Sequence, residues 1–171
     1  AWRPLAAAAL IGVLTLAVPV MFRRAAKKVP PIHDISTDLE SPPEFRAILP
    51  LRQDAPNPAA YGGPEVARQQ QAAYPDIAPA SVPLAAPEAF ERALGAAKAM
   101  GWQIAAAEPA EGRIEATDTT FWFGFKDDVV IRVRPDGAGA RVDVRSVSRV
   151  GKSDVGANAK RIRRFLARLS R

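Results

Sequence analysis

The sequence predicts an α+β fold: a four-stranded antiparallel meander with one helix before it and one after it packed on one face, preceded by a Pro-rich wrap and an N-terminal transmembrane helix. Three observations predict it. Four strand-like segments lie between Trp102 and Val150, separated only by short turn signals. A helical apolar stripe flanks them on each side. Ahead of these, residues 1–28 hold a long uncharged run and residues 29–86 are crowded with proline.

Residues 1–28 read as a transmembrane helix with a basic flank. Leu5 to Phe22, "LAAAALIGVLTLAVPVMF", is uncharged over 18 residues, within the roughly 17–25 that span a bilayer. Trp2 and Arg3 on one side and Arg23, Arg24, Lys27 and Lys28 on the other read as interfacial anchors. A signal peptide carries its charge before the apolar run, whereas here the dense charge follows it. Residues 5–22 thus predict membrane lipid as a partner and a cell membrane as the location. The side the domain faces is left open, because residues upstream of Ala1 change the charge count.

Twelve of the sixteen prolines fall between Pro30 and Pro87. Residues 29–86 therefore read as an extended segment with turns. It keeps Ile32, Ile35, Phe45, Ile48, Leu49, Leu51, Tyr61 and Tyr74, more apolar side chains than a spacer needs, which predicts that it packs on the domain. Only "EVARQQQAAY" (Glu65 to Tyr74) has the make-up of a short helix.

Residues 87–171 form the expected α+β domain. "PEAFERALGAAKAMG" has Pro87 at a helix start, a stripe of Phe90, Leu94, Ala97 and Met100, and Gly101 as its stop. "WQIAAAEP" is a short strand. "GRIEATDTTFWFGF" places Ile114, Ala116 and Asp118 on one face and Glu115, Thr117 and Thr119 on the other. In "DDVVIRVRP", Val129, Ile131 and Val133 oppose Val130, Arg132 and Arg134; "DGAGA" is a hairpin loop; in "RVDVRSVSRV", Val142 and Val144 oppose Asp143 and Arg145. "SDVGANAKRIRRFLARLSR" is an amphipathic helix with Ser153 as N-cap and a stripe of Val155, Ile162, Phe165, Leu166 and Leu169. In "FWFGF" (Phe121 to Phe125), alternate members are expected in the core, with a lipid- or base-stacking strip as the other reading.

The net charge of +6 suits anionic partners. There is no cysteine and one histidine, His33, so thiolate chemistry and multi-histidine metal sites are excluded within one chain, and no cofactor or metal is expected. The Gly-Lys-Ser at 151–153 is not a phosphate loop. Such a loop needs a glycine five residues before Gly151, where Ser146 stands, and only 18 residues follow Ser153.

The polar residues of the C-terminal third are the candidate site. Asp143, Arg145, Val147 and Arg149 share a strand face; Asp127 and Asp128 open a strand; Asp154, Asn158 and Arg161 follow helical spacing. Two readings stand: a charged pocket binding an anionic or amphiphilic ligand through Arg145 and Arg149, or an Arg–Asp network fixing the last helix to the sheet. His33-Asp34 reads as a cap or interface contact rather than a metal pair. Lys160, Arg161, Arg163, Arg164, Arg168 and Arg171 make a basic helix for which anionic lipid is a better partner than nucleic acid.

"DVRSVSRVGKSDVGANAKRIRRFL" resembles the signature of the domain of unknown function 1499 family, with Arg145, Ser146, Ser148, Arg149, Gly151, Ser153, Asp154, Gly156, Asn158, Arg161 and Ile162 in register. "FGFKDD", with Asp127 and Asp128, is similar to another family segment. "PPIHDISTDLESPPEF" and "AYPDI" resemble the proteobacterial membrane-anchored form, which implies several spans before the domain and a missing beginning. Where many members carry a Cys-Val-Ser-Ser element this chain has "IHDIST", so no role tied to that cysteine transfers. The resemblance implies no reaction. The expectation is a membrane-anchored accessory or binding domain contacting an anionic or lipid-like ligand or a membrane partner protein. The alternatives are a hydrolase-type enzyme using the Asp/Arg cluster, for which no nucleophile–base pair is visible, and nucleic-acid binding.

Overall fold

The computed structural model describes residues 29–121 and 123–170. Of the first 28 it describes positions 2, 4, 6, 8, 12, 13, 15–17, 20, 21 and 23, all helical. Half of the span expected over 5–22 falls outside the described residues, as do Trp122 and Arg171. Among those described, no helix is long and apolar enough to cross a membrane.

The Pro-rich segment contributes β1 (Asp34–Ser36), a 3-10 turn (Leu49–Arg52), α1 (Gly63–Ala73) and β2 (Ala80–Val82). Then come α2 (Ala86–Ala99), β3 (Gln103–Glu108), β4 (Arg113–Thr119), β5 (Lys126–Asp136), β6 (Gly139–Ser148) and α3 (Ala157–Leu169). The expected meander β3–β6 is present and antiparallel throughout. The sheet, however, has six strands rather than four. It runs β1-β6-β5-β4-β3, with β2 also on β6. β1 pairs with Arg145–Val147 and β2 with Ala140–Val142, so two short strands share the outer edge of β6. Between them Thr37 exchanges two bonds with Val144, its N–H donating to the carbonyl at 2.9 Å and its hydroxyl accepting at 2.8 Å. That coverage removes an open edge on which another chain could pair.

Period-two alternation sorts the sheet's two faces. Ile114, Ala116, Val129, Ile131, Val133, Val142 and Val144 meet Phe90, Ala93, Ala97, Ile162, Phe165 and Leu169 of α2 and α3 in the main core. Burying each large side chain contributes about 1.5–3 kcal/mol. Trp102, just after α2, stacks on Phe165 with centroids 5.5 Å apart. The opposite face carries a small apolar cluster, Phe45, Ile48, Val130 and Val147, under the Pro-rich segment. Gly112 turns the chain from β3 into β4 at φ 61°. A Cβ there would lie 2.1 Å from the Val133 carbonyl, so only glycine fits.

α1 docks through Gln70, which is fully buried. Its amide reproduces a strand's bonds, accepting from Ser36 N–H at 2.9 Å and donating to Ser36 C=O at 2.6 Å. Replacing Gln70 by Leu leaves both groups of Ser36 unpaired in the interior. The expected cost is about 1–3 kcal/mol in chemical denaturation, and an unchanged midpoint would show that α1 does not hold β1.

Candidate functional site

The structure distributes nine of the ten candidate residues over two networks on opposite faces of the sheet, with Ser153 in the loop that follows β6. Asp127 and Asp128, adjacent in β5, point to opposite sides.

On the outer face, Arg145 is 2% exposed. It donates to both oxygens of Asp34, at 2.9 and 2.7 Å, and to the carbonyls of Pro43 and Ala59 at 3.2 and 2.8 Å. Its guanidinium lies between the rings of Phe45 and Tyr61, 5.3 Å from each centroid. Burial raises the Asp34 carboxyl above its ordinary value although Arg145 opposes the shift. Burial also pushes the Tyr61 phenol up to about 12, with the Asp34 charge adding to the effect. Arg149 donates to Asp128 at 2.9 and 2.8 Å and to the Leu51 carbonyl at 2.6 Å. Asp128 also accepts from Arg52 at 3.1 Å and from the Thr117 hydroxyl at 2.8 Å. Arg145 and Arg149 thus fix the Pro-rich segment to the sheet, not the last helix as the network reading had it. Both are held in these ion pairs, and Arg145 also lines a cleft of about 440 Å³ with Phe45, Leu49 and Tyr61.

The inner network does hold the helix. Arg161 of α3 donates to Asp118 at 2.7 Å and to Asp127 at 2.5 Å, and also pairs with Asn158 Oδ1. Asn158 is fully buried. It accepts from the Ser146 hydroxyl at 2.6 Å and donates to the Ser148 hydroxyl at 2.9 Å and the His33 carbonyl at 3.0 Å. Ser153 is not the N-cap. α3 begins after Gly156, which has φ 81°, and Asp154 holds its start by accepting from the N–H groups of Gly156 at 2.8 Å and Asn158 at 2.7 Å. The Ser153 hydroxyl instead donates to the Pro30 carbonyl at 3.3 Å. Val155 is not in the buried stripe: it is 37% exposed and sits at φ 52°. A left-handed β-branched residue is strained by about 1–3 kcal/mol.

Where the two loops meet, at the end of β5 and β6 nearest α3, lies a cleft of about 400 Å³. Phe121, Phe123, Phe125, Val150 and Val155 supply its apolar rim, and Asp127, Ser148 and Asp154 its polar floor. The phenylalanines, expected partly in the core, are exposed, Phe123 by 73%. Phe123 and Phe125 stack at 5.5 Å. The sequence placed Tyr74 on the domain but not its hydroxyl: the residue is 8% exposed, and the hydroxyl, outside the cleft lining, faces Gly156 with no hydrogen-bond partner among the described residues. A tyrosine at the end of a short helix before proline carries no signal for such a place. Among the described residues no group of three or more His, Cys, Asp or Glu side chains is placed to hold a metal ion.

Two predictions follow from this geometry. Arg145→Met leaves Asp34 buried and unpaired and is expected to cost about 3–5 kcal/mol, most of it recovered by Asp34→Asn in the same chain. A double variant no more stable than the single one would show that Arg145 acts through something other than this pair. The second concerns Asp154, whose carboxyl is raised above 3.8, first by burial and then by the Asp127 charge, against the two backbone N–H bonds. The folded state therefore binds that proton more tightly than the unfolded one. Its contribution favours folding below the raised value and is lost as pH climbs from 3.8 through it. Asp154→Asn should flatten that part of a melting-temperature profile against pH; an unchanged slope would place the titration elsewhere.

The chain matches the family described as "Protein of unknown function (DUF1499)" over residues 34–169. The match runs from β1 to the end of α3 and includes all ten candidate residues. No curated protein matches the chain. With that match covering most of the chain, from the first strand to the last helix, the chain belongs to the DUF1499 family.

Proposed function

We propose that this chain is a membrane-anchored binding module that takes an amphiphilic, lipid-like ligand in the cleft between the β4–β5 and β6–α3 loops. The observation that carries the reading is the cleft itself: about 400 Å³, apolar at the rim and polar at the floor. That size falls in the roughly 300–1,000 Å³ range of small-molecule sites, and that lining suits a molecule with a hydrocarbon part and one polar group. Strain at Val155, on the rim, supports it, since backbone kept in a costly conformation concentrates where a site must be shaped.

Binding is favoured over catalysis because the carboxylates are already engaged. Asp127 holds Arg161, Asp128 holds Arg52 and Arg149, and Asp154 caps α3. Asp127 and Asp128, on opposite faces, do not form an acid–base pair. The basic helix is also a weaker nucleic-acid surface than its sequence, since Arg161 points inward and Arg163 pairs with Asp76 at 2.6 and 2.7 Å. Anchoring rests on the uncharged run at residues 5–22.

The test is displacement of a fluorescent fatty acid from the full chain, comparing the parent with Val155→Gly and Phe123→Ser. Both variants should bind several-fold more weakly. Val155→Gly should keep the parent's stability or exceed it by up to about 1 kcal/mol, because it relieves left-handed strain. Equal affinity in all three proteins would remove the cleft as the binding site.

A further inference from the structure

We infer that the cleft end of the domain docks on the bilayer itself, with the β4–β5 loop set into the interfacial layer so that the cleft opens onto lipid. The inference rests on the anchored reading above and adds an orientation and a surface to it.

Three observations converge. The first is the build of the loop. Thr120 N–H donates to the Phe125 carbonyl at 2.8 Å, Gly124 N–H to the Thr120 carbonyl at 3.0 Å, and Phe125 N–H to the Thr120 hydroxyl at 2.9 Å. The loop closes on its own hydrogen bonds while Phe123 and Phe125 stand outward, stacked on each other. A loop that closes part of its backbone on itself and presents aromatic rings suits the interfacial layer, where unpaired N–H and C=O groups cost more than in water and aromatic rings concentrate.

The second is where the chain arrives. The Pro30 carbonyl accepts from the Ser153 hydroxyl, the Ile32 carbonyl from Asp154 N–H at 3.2 Å, and Val29 lies against Gly156. The N-terminal segment therefore meets the domain at the loop that forms one wall of the cleft. From Phe22 to Val29 is seven residues, which reach at most about 25 Å. An anchor at residues 5–22 holds this end of the domain toward the membrane and the β5–β6 turn at Gly137 away from it.

The third is charge. Lys126 and Lys152, both exposed, flank the rim, and Arg23, Arg24, Lys27 and Lys28 lie between the uncharged run and the domain. Basic side chains around an apolar rim match anionic headgroups around an acyl layer. A protein partner would be served by the phenylalanines alone; the lysines and the arriving segment favour lipid.

The absence of cysteine makes the test direct, since one introduced cysteine is the only labelling site. An environment-sensitive fluorophore is placed at Val150→Cys, on the rim, or at Ala138→Cys in the β5–β6 turn. Each labelled chain is reconstituted into phosphatidylcholine vesicles with or without phosphatidylglycerol, some carrying a shallow nitroxide lipid. Flotation reads the anchor; quenching reads the docking. The label at 150 should be quenched several-fold more than that at 138, more so with phosphatidylglycerol. Phe123→Ser with Phe125→Ser should bring it down to the level at 138 while flotation is unchanged. Equal quenching at 150 and 138 in chains that float overturns the docking and leaves the anchor. Chains that do not float overturn both. A label at 150 shielded from aqueous iodide but not reached by the nitroxide marks a protein partner and also overturns the lipid assignment.

Discussion

Arg145 and Asp34 meet in a two-bond pair beneath the Pro-rich segment, and the outer layer of the molecule is organised around that contact. Proline has no N–H, so a chain segment rich in it offers many carbonyls and few donors. Arginine is the complement: five donors and no acceptor. The structure matches one to the other repeatedly. Arg145 serves the carbonyls of Pro43 and Ala59, Arg149 that of Leu51, Arg52 that of Asn57, and Arg132 that of Ser41. The carboxylates do the reverse at the few places where donors cluster, as where Glu115 accepts three consecutive N–H groups from Arg46, Ala47 and Ile48. Buried charge is costly unless paired, and here Arg145, Asp34 and the carbonyls of Pro43 and Ala59 are satisfied together, although Arg52 Nε has no partner among the described residues. An apolar sheet face could not have held this segment, because it would have left those carbonyls buried and unpaired.

The same strands serve the opposite face without interference. In β6, Asp143, Arg145 and Val147 turn to the Pro-rich layer while Val142, Val144, Ser146 and Ser148 turn to the helices. In β5 the switch between Asp127 and Asp128 sends one carboxylate to α3 and the other to Arg52 and Arg149. The result is a helix start fixed by Asp154, Asn158 and Arg161 at the end of the sheet where the two loops project. Rigidity at that point has a consequence for Val155. A strained backbone survives only where its surroundings over-determine it, and the cap from Asp154, the buried Asn158 and the Arg161 pairs do so on the residues that follow.

Much of this was legible in the sequence for one reason: period two is a strong signal over long strands. β5 and β6 are long enough to show it, and the faces it assigned to Ile131, Val144 and Arg145 are those found. β1 and β2 are three residues each and have no period to read. They are strands only because the edge of β6 lies beside them, which is a tertiary fact. The choice of cap failed for a related reason. Ser153 and Asp154 are both good cap residues, and the decision falls to the left-handed turns at Val155 and Gly156, where Gly156 packs against Val29 and Tyr74 from elsewhere in the chain. The phenylalanines of the β4–β5 loop misled because an aromatic run ordinarily argues for burial. Their exposure follows from Gly124, whose positive φ closes the loop before those rings reach the sheet.

That exposure is best weighed against the completeness of the core. Trp102, Phe90 and Phe165 fill the space between helices and sheet, and every large apolar position of the inner face is covered. The loop phenylalanines add nothing to that packing, and in water they carry the ordinary penalty of exposed apolar surface. Folding alone therefore gives no reason to keep them, nor to keep a strained valine opposite them. Both features become intelligible together if the rim is complementary to something apolar that the isolated chain lacks. The floor adds to this: Ser148, Asp127 and Asp154 already hold protein partners, but their oxygens keep further lone pairs that a ligand's polar group can meet. A molecule with an acyl body and a polar head meets both demands at once, and a bilayer presents such molecules in the orientation the rim requires.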